Sequence, residues 1–193
     1  MAKLRPTPRG QVAAELTLGG PFAKVGSAII PLPLSTVGAS FGIADHLDVS
    51  AHFHPTAAVF GIAGLDIGGA WQPLVQKGAV PAVTLVGRLF GFTDFQSGFM
   101  PFLELGATGS YRIAERFSPY LNVTTLVQIN AAPLLAVGTG VELELGRFAI
   151  QAEFRWFSPN RPTLFNAVEW QSIGGLGAVG ALLGFRYTFG EAK

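Results

Sequence analysis

Short apolar runs in this chain alternate with small or polar residues at every second position, and the charged side chains inside those runs keep to one parity. A period of two puts successive side chains on opposite faces of a β-strand. The final run, 176–189, shows the pattern. Val179, Ala181, Leu183, Phe185, Tyr187 and Phe189 share one face; Gly180, Leu182, Gly184, Arg186 and Thr188 share the other. A chain patterned this way throughout folds as a sheet with one apolar and one polar face.

Ten such runs can be read: 11–19, 35–43, 47–54, 64–72, 82–90, 101–113, 119–130, 134–145, 148–157 and 176–189. Glu15, Asp48, Asp66, Arg88, Glu104, Arg112, Glu142, Glu144, Glu153, Arg155 and Arg186 fall on one face, and no Asp, Glu, Lys or Arg falls on the other. A charge on a lipid-facing position near the bilayer midplane costs roughly 2–4 kcal/mol, which gives such segregation a physical cause. Charged residues make up 13% of the chain. An average globular chain has roughly 25%, so an exterior of this size would be poorly solvated in water. The pattern predicts an all-β fold, a transmembrane antiparallel up-and-down β-barrel of about ten strands, with eight and twelve as the alternatives. Short turns are expected after the second, sixth and eighth strands, and longer connections after the first, third, fifth and ninth, at 20–34, 55–63, 91–100 and 158–175. A soluble lipocalin-like ligand-binding barrel is the competing architecture, and it would invert the two faces. A membrane-spanning helix is excluded in the uncharged stretch 25–44, because Pro31 and Pro33 would break it.

At 193 residues the chain suits one barrel domain over 10–190, with a loose basic lead at 1–9 and a short tail at 191–193. The net charge of +1 offers no basic surface for nucleic acid. The absence of Cys removes disulfides and thiolate chemistry. No secretory signal is visible in the first residues, so an exported chain of this type reads as a mature form.

Gly184, Tyr187 and Phe189 form a Gly-x-x-aromatic-x-aromatic ending. It resembles the C-terminal signal by which small outer-membrane β-barrel proteins of Gram-negative bacteria are recognised for assembly. The hairpin FGIADHLDVSAHF is similar to the YGxTDxLDxG hairpins common in the same proteins. The resemblance implies a bacterial outer-membrane location, outer-membrane lipids around the barrel, the barrel-assembly machinery as a partner during insertion, and a monomer.

The inward acids Glu15, Asp48, Asp66, Glu104, Glu142, Glu144 and Glu153 outnumber the inward arginines Arg88, Arg112, Arg155 and Arg186. Buried ions persist only when paired, so these residues are expected to form a cross-lumen network that largely plugs the barrel. Trp71, Tyr111, Trp156, Tyr187 and Phe189 are the candidates for aromatic girdles at the two membrane interfaces. Ser50, His52 and His54 share one inward strand face and supply the candidates for catalysis. A lipid-modifying outer-membrane hydrolase using Ser50 and His52, with Asp48 or Glu15 orienting the imidazole, is therefore an alternative. The i, i+2 spacing of about 7 Å argues against direct contact among them. No cofactor or metal is expected. The apolar connections at 27–34 and 55–63 suggest an extended lipid-embedded wall or a greasy mouth that admits a hydrophobic ligand. The function expected is therefore non-enzymatic: binding or passing a small or hydrophobic molecule, or a structural role.

Overall fold

The computed structural model describes residues 1–25, 27–31, 34–59, 61–96, 98–128, 131–163 and 169–190. The tail at 191–193 and the end of the seventh predicted strand, Ile129 and Asn130, lie outside the described residues, as do positions 32 and 33 of the 27–34 connection. Among the described residues the elements are β1 (Val12–Val25), β2 (Ala28–Pro31), β3 (Thr36–Ala44), β4 (Leu47–Phe53), α1 (Pro55–Val59), β5 (Ala63–Leu74) and β6 (Ala82–Thr93). They continue as β7 (Phe99–Ser110), β8 (Phe117–Val127), β9 (Leu134–Leu145), β10 (Phe148–Pro162), β11 (Glu169–Trp170) and β12 (Leu176–Phe189).

Ten of the strands make a closed antiparallel barrel. Sequential hairpins run from β3 to β10 and on to β12, which pairs with β1 from Val12↔Phe189 to Pro21↔Gly180. The ring closes where β1 also pairs with β3, from Val12↔Phe41 to Thr17↔Thr36. Closure removes the unpaired strand edges that lipid would not tolerate. Connections at 45–46, 75–81, 111–116 and 146–147 lie at one end with the start of β1 and the end of β12. The longer connections, including α1, lie at the other.

The faces follow the parity of the sequence. Leu65, Ile67, Leu121 and Val123 stand outward with about half or more of their surface exposed, while Asp48, Asp66, Glu142 and Glu153 are almost fully buried inside. That arrangement is the reverse of a lipocalin-like soluble barrel. An apolar exterior around a charged interior defines a transmembrane barrel. Of the predicted girdle aromatics, Trp71, Tyr111, Tyr187 and Phe189 sit at the end with the short turns. Trp156 sits toward the opposite end, where its Nε1 donates to the Leu176 carbonyl at 2.9 Å. In the Gly-x-x-aromatic-x-aromatic ending, Tyr187 and Phe189 meet edge to face at 4.8 Å, and Gly184 is buried inward under Met1 Sδ.

Two features depart from the sequence reading. The first strand does not stop at Gly19. Gly19 adopts φ +105°, where a Cβ would run into the Ala181 carbonyl, and the chain continues through Gly20 and Pro21 to Val25. Beyond the barrel rim it carries β2 and β11 as short partners, so the predicted connections at 20–34 and 158–175 contain strand. Second, residues 1–7 are not a loose lead. They run up inside the barrel, with Ala2, Leu4 and Thr7 buried.

Candidate functional site

The lumen has two storeys. The lower one is ionic and is filled by the N-terminal segment. Lys3 Nζ lies 2.6 Å from Glu15 Oε1 and 2.8 Å from Asp48 Oδ2. Arg5 reaches Glu142 at 3.0 Å and also pairs with Glu144. The segment's backbone is satisfied by barrel side chains. Thr7 N donates to Asp48 Oδ2 at 2.7 Å, Ala2 N to Glu153 Oε2 at 3.1 Å, and Thr84 Oγ1 donates to the Leu4 carbonyl at 2.6 Å. Leu4 and Ala2 pack on Tyr120. A cavity of about 50 Å³ remains beside the segment.

Several of the predicted inward charges are paired, some with partners the sequence did not reveal. Arg186 lies 3.5 Å from Glu142, Arg112 pairs with Glu144, and Arg155 Nε donates to Glu153 Oε1 at 2.6 Å. Arg88 and Glu104 face each other across β6 and β7 but stand 3.8 Å apart. Arg112 lies just beyond β7, half exposed at the short-turn end. The missing members were Lys3 and Arg5. Their signal was the surplus of inward acids, seven against four arginines, beside a basic segment with no assigned partner.

His52 is locked. Its Nδ1 meets Asp66 Oδ1 at 2.9 Å and its Nε2 meets Glu15 Oε2 at 3.0 Å. The β4–β5 register places His52 directly opposite Asp66, which brings the two together. His54 Nε2 meets the other oxygen, Asp66 Oδ2, at 2.9 Å. Among the described residues no hydrogen bond joins Ser50 to either histidine, and Asp48 is engaged with the N-terminal segment instead. The Ser50/His52 set is therefore not aligned for nucleophilic catalysis, because both imidazole nitrogens already face carboxylates. Among the described residues no three His, Asp or Glu side chains are arranged to hold a metal ion.

The upper storey is apolar. The inward parity that carries Arg88 and Glu104 continues toward the loops as Phe90, Phe92 and Phe102, with Leu126 on β8. The register pairs Phe90 with Phe102 and Phe92 with Met100, directly above the Arg88–Glu104 rung. Phe92 meets Phe102 at 6.0 Å edge to face, and the His54 ring lies 5.2 Å from Phe92 and 5.6 Å from Phe90. These rings wall a cavity of about 540 Å³ at the loop end, with Glu104 and Arg155 among its polar lining. The sequence signal was the same parity read two steps further along β6 and β7.

Fold and lumen together define the chain as a transmembrane β-barrel protein with an occupied lower lumen. Among solved structures it is similar to the translocator domain of the autotransporter NalP from Neisseria meningitidis, with 11% identity, a TM-score of 0.48, and 93% of this chain and 88% of that one covered. It is also similar to an outer membrane channel from Pseudomonas putida, with 11% identity, a TM-score of 0.47, and 98% and 99% covered. A third similar structure comes from the de novo design of transmembrane β-barrels, with 12% identity, a TM-score of 0.41, and 96% and 99% covered. No protein-family model matches the chain, and no curated protein does.

Proposed function

We propose that the chain is an outer-membrane barrel of a Gram-negative bacterium that binds a small hydrophobic molecule in its loop-end cavity, above a lumen closed by its own N-terminal segment. The carrying observation is the cavity itself. Inward aromatic side chains in a barrel mouth leave apolar surface facing water, and a concave apolar site with a few convergent polar groups is the usual form of a small-molecule site. Its volume falls within the range of roughly 300–1,000 Å³ typical of ligand pockets. The ionic floor beneath it opposes free passage, so retention is favoured over conduction.

The test is fluorescence of the neutral hydrophobic probe N-phenyl-1-naphthylamine with the refolded full-length protein. Saturable binding is expected, and the double substitution Phe92→Ser and Phe102→Ser should weaken it by roughly tenfold or more, since each ring buries apolar surface against the ligand. Non-saturable signal, or equal binding by the double variant, would contradict the proposal.

A further inference from the structure

The cavity carries a charge pattern as well as an apolar wall. Of its two fully charged lining residues, Arg155 is already neutralised, because its Nε donates to Glu153 Oε1 at 2.6 Å. Glu104 differs. Among the described residues its nearest cation is Arg88 Nε at 3.8 Å, and no hydrogen bond reaches its carboxylate. Phe102 lies two residues further toward the mouth on the same strand face. Phe90, opposite Phe102, and Phe92 complete an aromatic wall around that approach.

We propose that the loop-end cavity selects a hydrophobic cation, its charge held beside Glu104 and against the faces of Phe90, Phe92 and Phe102. Aromatic faces carry the negative part of the ring quadrupole and attract cations, most strongly where water is excluded. A loosely paired carboxylate at the base of such a wall adds Coulomb attraction. An anionic ligand would meet the same carboxylate as a repulsion, while the charge of Arg155 is already offset by Glu153. This inference rests on the hydrophobic-ligand reading and specifies its ligand class: an amphipathic ammonium or phosphonium.

Tetraphenylphosphonium and tetraphenylborate are nearly identical in shape and opposite in charge. Equilibrium dialysis of both, with the neutral naphthylamine probe alongside, is run on the full-length barrel in neutral maltoside micelles against empty micelles. The cation should bind at least about tenfold more tightly than the anion, a difference of about 1.4 kcal/mol. Glu104→Gln should lower the cation-to-neutral affinity ratio by roughly tenfold. Phe92→Leu, which keeps apolar bulk and removes the ring, should lower the same ratio several-fold; it carries the test if Glu104→Gln fails to fold. Equal binding of cation and anion, or preference for the anion, with the naphthylamine still bound, would overturn cation selectivity and leave the hydrophobic-ligand reading standing. Absence of binding by all three probes would overturn that reading itself.

Discussion

Deleting residues 2–8 is expected to convert the closed barrel into a cation-selective pore. In the intact chain Lys3 and Arg5 neutralise Glu15, Asp48, Glu142 and Glu144, and Leu4 fills the space beside Tyr120. Without them the lumen keeps seven acids, Glu15, Asp48, Asp66, Glu104, Glu142, Glu144 and Glu153, against four arginines, Arg88, Arg112, Arg155 and Arg186. Water must then enter to solvate carboxylates that have lost their partners, because an unpaired buried charge costs several kcal/mol. Planar-bilayer recordings should show no conductance steps for the full chain and discrete steps for the truncated one. The reversal potential in a salt gradient should favour cations. A synthetic peptide of residues 1–9 added from the side of the short turns should close the steps. The truncated barrel should also unfold at lower temperature on a heat-modifiability gel. A truncated protein that stays silent would show that the lumen side chains seal the barrel without the segment.

Substituting Leu121→Arg should destabilise the folded barrel in a bilayer by ~2–4 kcal/mol, the cost of an arginine on the lipid face near the midplane. Leu121 is 65% exposed at the middle of β8, between Gly109 on β7 and Thr139 on β9. In water an exposed leucine replaced by arginine would leave stability nearly unchanged. Urea titration of the protein folded into lipid vesicles reads the difference. A stability loss within a few tenths of a kcal/mol would contradict a lipid-facing position.

The barrel was legible in the sequence because lipid imposes a period-two rule on every strand alike. Leu65, Ile67, Leu121 and Val123 face outward, and Asp48, Asp66 and Glu142 face inward, as their parity requires. Strand extension past Gly19 was not legible, since Gly-Gly-Pro ordinarily ends a strand; pairing of Gly20 with Ala181 and Pro21 with Gly180 holds it in the sheet. The pairing of His52 with Asp66 depends on the β4–β5 register, which a linear reading does not contain. The placement of residues 1–7 inside the lumen is a tertiary fact as well. A basic, proline-bearing segment reads as a solvated lead unless the acid surplus of the barrel is set against it. The aromatic cavity was half legible: Phe90 and Phe102 have inward parity, but their closeness comes from the β6–β7 pairing.

The central claim is that the apolar face meets lipid and the charged face lines the lumen. The chain contains no Cys, so single cysteines can be placed and spin-labelled at each position from 121 to 126 on β8 without background. Accessibility to oxygen, which concentrates in the bilayer, and to a water-soluble nickel chelate is then measured on the protein folded into lipid vesicles. Strong oxygen and weak nickel collisions are expected at 121, 123 and 125, with restricted oxygen access at 122, 124 and 126. High nickel accessibility at 121, 123 and 125, or no two-residue alternation along β8, would contradict the claim.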